Sequence, residues 1–118
     1  MTPNEIKLQN LRDYLDTLIG EYREAVTSAI RAMEKFSITP NDYREESVNL
    51  NVAAFTLSYL NQAKEVSEKT DYKTTENYIR FHKYQLETKA SGEPDAITLA
   101  QNATISALST IIDLYLDK

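Results

Sequence analysis

The sequence predicts an all-α protein, an elongated up-down four-helix bundle with a long first helix. Three observations carry that prediction. Glycine and proline are scarce, two and three residues in 118, too few for the turns of a sandwich, a barrel or a Gly-rich phosphate loop. Apolar residues recur at helical 3–4 spacing along nearly the whole chain. Two stretches of 17 residues, Ser47–Ala63 and Ala96–Ile112, carry no charge in a chain that is 26% charged. A charge-free helix is one packed on more than one side.

Helix 1, read as residues 3–37, opens with Thr2-Pro3-Asn4-Glu5. Thr2 suits the N-cap, Pro3 the first helical position, and Glu5 the return position of a capping box. Its seam reads Leu8, Leu11, Leu15, Leu18, Tyr22, Ala25, Ala29, Ala32, Phe36, widened toward the end by Ile19, Val26, Ile30 and Met33. Unbroken, this helix would be ~52 Å long. It must therefore overhang a compact domain or bend, and Gly20 is the candidate bending point.

Helix 2, read as 40–69, restarts with the same chemistry, Thr39-Pro40-Asn41-Asp42. Its apolar positions are Val48, Val52, Phe55, Tyr59, Ala63 and Val66, with Leu50, Ala53, Leu57 and Leu60 in a second stripe. Helix 3, read as 72–90, follows Thr70-Asp71 and stops at Ser91-Gly92, where glycine suits the left-handed C′ position. It is the least apolar, with Tyr78, Ile79, His82, Leu86 and Ala90 inward. Helix 4, read as 94–116, runs through Ile97, Ala100, Thr104, Ile105, Leu108, Ile111, Ile112 and Tyr115. Short connections between four such helices give an up-down bundle, a single domain over residues 1–118.

Composition narrows the function. With no cysteine and one histidine, His82, the chain has no thiolate nucleophile and no Cys- or His-rich metal site. Cysteine absence also fits a cytoplasmic protein. A net charge of −5 argues against bulk DNA binding through phosphate neutralisation. Each charge-free stretch holds about seven Asn, Gln, Ser or Thr and falls short of the ~20 apolar residues of a membrane span. The start, MTPNEIKLQNLRD, lacks the basic-then-apolar pattern of a secretory leader. The abundance of Asn, Ile, Lys, Thr and Tyr suggests an AT-rich genome, bacterial or phage.

Three constellations could carry chemistry. Carboxylates pair at i,i+3 spacing: Asp42/Glu45, Glu65/Glu68 and Glu68/Asp71. Such oxygens could hold Mg²⁺ and a substrate phosphate, the basis of a Mg²⁺-dependent nucleotide hydrolase reading on Glu45, Glu65, Glu68 and Asp71. They sit at helix ends beside Arg44, Lys64 and Lys69, so solvated surface charge is the preferred reading. A basic-aromatic stretch runs from Tyr72 to Tyr84. Lys73, Arg80, Lys83 and Tyr84 are its candidate phosphate or partner contacts, and a nucleic-acid or nucleoprotein accessory is the alternative function. The competing reading has the aromatics in the core and the cations facing acidic helices of the same bundle. His82 has no Ser, Asp or Glu placed to form a relay with it, so it reads as a structural histidine.

The eight tyrosines against three phenylalanines and no tryptophan suit half-wet interfaces. The expected oligomer seam is on helices 2 and 4, at Phe55, Tyr59, Ala100, Ala103, Ala107 and Ile111. The expectation is then a non-enzymatic, self-associating bundle, most simply a dimer. It would work as an adaptor, scaffold or inhibitor on a further protein partner, with no cofactor, no metal and no membrane.

Overall fold

A computed structural model of the chain describes residues 1–89 and 95–117. Among them are four α-helices and no strand: α1 Pro3–Met33, α2 Pro40–Lys69, α3 Tyr72–Lys89 and α4 Ala96–Ile111, the last running into a π-helical turn, Ile112–Leu116. The shape is elongated, 55 × 29 × 21 Å. The expected stop of helix 3 at Ala90-Ser91-Gly92 and the restart at Glu93-Pro94 lie outside the described residues.

Each described helix start is made by a short polar side chain taking an otherwise orphaned N–H. Thr2 Oγ1 accepts from Glu5 N at 3.2 Å, and Thr39 Oγ1 from Asp42 N at 3.1 Å. Asp71 Oδ1 accepts from Thr74 N at 2.8 Å, and Asp95 Oδ1 from Thr98 N at 2.7 Å. These hydrogen bonds hold the Asp71 and Asp95 carboxyls below the ordinary range.

α1 ends at Met33, four residues before the expected boundary. Thr39 precedes Pro40, and a residue before proline is pushed to extended backbone. Thr39 adopts ψ 157°. The chain leaves the helix over Glu34–Ile38, and Phe36 falls in the turn, fully exposed at 107% rather than in the seam. α1 runs through Gly20 without interruption, and a Cβ there would meet nothing within 4 Å.

α1 and α2 form an antiparallel pair. Arg12 Nε donates to Ser67 O at 2.8 Å, and its Nη2 shares that acceptor. One turn along, Lys64 Nζ meets Asp16 at 2.6 Å. α2 is the most connected helix, touching α1, α4 and α3. It meets α4 through Thr56 Oγ1 and Thr104 Oγ1, 3.0 Å apart and both fully buried. Thr104 Oγ1 donates to Ala100 O at 2.9 Å, so Thr56 is the donor in the pair. α2 meets α3 where Tyr78 donates to Gln62 Oε1 at 2.7 Å.

The core is one cluster: Leu8, Leu11, Leu15 and Ile19 of α1; Leu60 and Ala63 of α2; Tyr72, Ile79 and Leu86 of α3; Leu108, Ile111, Ile112 and Leu116 at the end of the chain. The π turn fastens this end. Asp117 N reaches back five residues to Ile112 O at 2.9 Å. The widened turn stacks Tyr115 on Tyr14, centroids 4.7 Å apart, and places Asp117 2.5 Å from Arg80.

The helices differ in length, and this divides the molecule. At ~1.5 Å per residue α1 and α2 are each ~45 Å long, α3 ~27 Å and α4 ~24 Å. The start of α4, Ala96-Ile97, faces Asn51 and Phe55 of α2. Below that level four helices surround the core. Above it, residues 29–50 continue as the end of a two-helix hairpin.

Candidate functional site

The basic-aromatic face of α3 is neutralised from within. Lys73 Nζ lies 3.1 Å from Glu76, and Arg80 lies 3.2 Å from Glu76 and 2.5 Å from Asp117. Lys83 sits 3.8 Å from Glu87. Glu76 is largely covered, and burial pushes its carboxyl up. Hydrogen bonds from Lys73 and Arg80, with their charges, outweigh that and hold it below its usual range. Every candidate cation of this stretch thus has an acid of the same chain beside it. Tyr84 points outward with Phe81, both more than half exposed.

His82 is the centre of an aromatic group. Its ring lies 4.2 Å from Tyr78, 5.5 Å from Phe81 and 5.6 Å from Tyr59, and Tyr59 is 5.3 Å from Phe55. Burial among these rings lowers its pKa from the ordinary 6.5. Phe55 and Tyr59, read from sequence as oligomer contacts, belong to this half-buried group.

The remaining residues of the expected oligomer seam lie elsewhere. Ala100, Ala107 and Ile111 are buried inside the single chain, and Ala103 is half-buried. The small side chains of α4 bring it close to α2 of the same molecule, where the Thr56–Thr104 hydrogen bond crosses the contact. The charge-free stretches are therefore packed first on each other. The stripe of α2 that remains outside, Asn51, Ala54, Ser58 and Asn61, is small and polar.

The carboxylates are separated by task. Glu65 pairs with Lys69 at 2.6 Å, Glu68 with Lys64 at 3.7 Å, and Asp71 caps α3. Glu45 lines a shallow cleft at the end of the hairpin, with Asp42, Glu46 and Lys35. Among the described residues no three His, Cys, Asp or Glu side chains come together as a metal site, and no helix is long and apolar enough to cross a membrane.

The hairpin end carries what sequence periodicity did not reveal. Besides Phe36, Ile30 is 39% exposed and Tyr43 is 48% exposed. Val26, Met33, Val48 and Leu50 are half-buried. Among the described residues, Arg31, Glu34, Lys35, Asp42, Arg44, Glu45 and Glu46 form no ion pair, and all seven ion pairs lie in the body. The wide apolar stripe of α1, read as a core feature, reaches its widest point where α4 is no longer beside it.

No family model, curated protein or solved structure matches the chain.

Proposed function

We propose that this chain is a non-enzymatic, self-associating helical protein, an up-down four-helix bundle that acts as an adaptor, scaffold or inhibitor through protein–protein contacts. The observation that carries the reading is the hairpin of α1 and α2. It extends beyond α4 with Ile30, Phe36 and Tyr43 exposed, and its charges form no ion pair among the described residues. A surface that keeps large apolar groups in water, rimmed by unpaired charges, has the anatomy of an interface. A dimer with two-fold symmetry is the simplest assembly that covers it.

The nucleic-acid reading has less support. Lys73, Arg80 and Lys83 already have carboxylate partners that a phosphate would have to displace. The hydrolase reading has less still, since Glu45 lies at the hairpin end and Glu65, Glu68 and Asp71 at the other end of α2. Sedimentation equilibrium across the micromolar range tests the proposal. A mass rising with concentration above 13.5 kDa supports it. A monomer throughout contradicts it.

A further inference from the structure

Self-association needs a face, and the outer side of the α1–α2 pair offers one. α1 is held to the π turn through Tyr14, and α2 to its neighbours through Thr56, Tyr59 and Gln62. Nine residues, two and a half turns, separate Tyr14 from Arg23, so these two side chains point to opposite sides of α1. Two residues separate Ala54 from Thr56, which sets Ala54 away from α4. On the side left free, α1 and its C-cap residue present Gly20, Arg23, Thr27, Ile30 and Glu34, and α2 presents Tyr43, Ser47, Leu50, Ala54 and Ser58. The α1 set alternates steps of 3 and 4, and the α2 set steps by 4, 3, 4 and 4, so each keeps to one helix face. Among the described residues neither Arg23 nor Glu34 has an ion-pair partner, and the space above Gly20 is open.

The two seams are self-complementary. Arg23 and Glu34 lie symmetrically about the midpoint between Ser28 and Ala29, with Thr27 and Ile30 between them. A two-fold axis across that midpoint sets a second α1 antiparallel on the first. Arg23 then faces Glu34 of the partner subunit, and the pair is made twice. The register of the α1–α2 pair, Arg12 level with Ser67, carries that midpoint to the level of Leu50-Asn51 on α2. The same axis therefore sets Ser47 against Ala54 and the large Tyr43 against the small Ser58 of the partner subunit, and it brings the two Leu50 side chains together at the axis, offset by one residue. One operation thus satisfies opposite charges on one helix and large-to-small packing on the other.

We infer that a second copy of this chain docks antiparallel on the outer α1–α2 face, with Arg23–Glu34 pairs flanking a Leu50–Leu50 contact. This names the face of the self-association proposed above and rests on that reading. It also gives the charge-free outer stripe of α2 a role, because Ser47, Ala54 and Ser58 would lie against the partner where a charge would be buried.

Charge exchange tests the pairing in the full chain. By sedimentation equilibrium, Arg23→Glu alone and Glu34→Arg alone should each raise the dimer Kd about tenfold, and the double exchange should restore it to within about threefold. Leu50→Cys gives a second measurement, because the chain has no other cysteine. Mild oxidation should convert L50C to a disulfide dimer much faster than Ser106→Cys, placed on an exposed position of α4. Single exchanges that leave Kd unchanged, or equal oxidation of both cysteine variants, would overturn this face while leaving self-association standing. A wild-type chain that stays monomeric would overturn both.

Discussion

The body and the hairpin end are built from the same two helices, yet they are held by different means. In the body, Leu11, Leu15, Leu60, Ile79 and Ile111 have no exposed surface, and side-chain hydrogen bonds and ion pairs cross between helices. In the hairpin end over residues 29–50, Ala29 alone is buried. Helix segments of this length are marginal in water by themselves. These persist as continuations of helices anchored below. Stability is thus concentrated in one half, and uncommitted apolar and charged surface in the other.

Substitutions can sharpen or break that contrast. The largest expected effect is in the body. Leu60→Ala should cost about 3 kcal/mol in urea unfolding, from lost burial and a cavity among four helices. Thr104→Val should cost about 1 kcal/mol, because it removes the acceptor of the buried Thr56 hydroxyl. Thr56→Val should cost less, since Thr104 keeps Ala100 O. Equal costs would mean that the donor assignment is wrong.

The pH dependence is a smaller effect and also belongs to the body. Burial depresses the pKa of His82 below its unfolded value of 6.5. Between the two values the unfolded chain binds more protons, so stability should fall as pH drops from about 7 toward 5. In His82→Phe that slope should disappear from the urea midpoints, and a slope that persists would assign it to other groups. The smallest effect is at the hairpin end. Phe36→Ser should change stability by less than about 0.5 kcal/mol, as for an exposed site. A loss of 2 kcal/mol would show that the two halves are not so different.

Much of this contrast was hidden in the sequence. The helix starts were legible, because Thr2-Pro3, Thr39-Pro40 and Thr70-Asp71 carry capping chemistry in the residues themselves. So was the pairing of apolar stripes into one core. Periodicity cannot say which helix covers a stripe at a given level. It therefore extended the seam of α1 to Phe36, which the turn before Pro40 throws into solvent. Nor can it say whether an uncharged stripe meets a helix of the same chain or a second chain; Ala100, Ala107 and Ile111, read as oligomer contacts, are buried within this one. The π turn has no local sequence signal. It arises from the end of α4 closing on Tyr14, Tyr72 and Arg80, contacts 37 to 101 residues apart.

The candidate surfaces were half legible. Lys73, Arg80, Lys83 and Tyr84 do share one helix, but their neutralisation depends partly on Asp117, brought in by the π turn. The outer α1–α2 face was not legible as a unit, because its symmetry requires the register set by Arg12 and Ser67.

In the proposed assembly, a second copy of the chain covers the surface that the body leaves uncovered. Sedimentation equilibrium of the unmodified chain, run from low to high micromolar concentration, tests it most directly. The expected result is a reversible transition from 13.5 kDa to twice that mass. A mass that stays at 13.5 kDa throughout would contradict it.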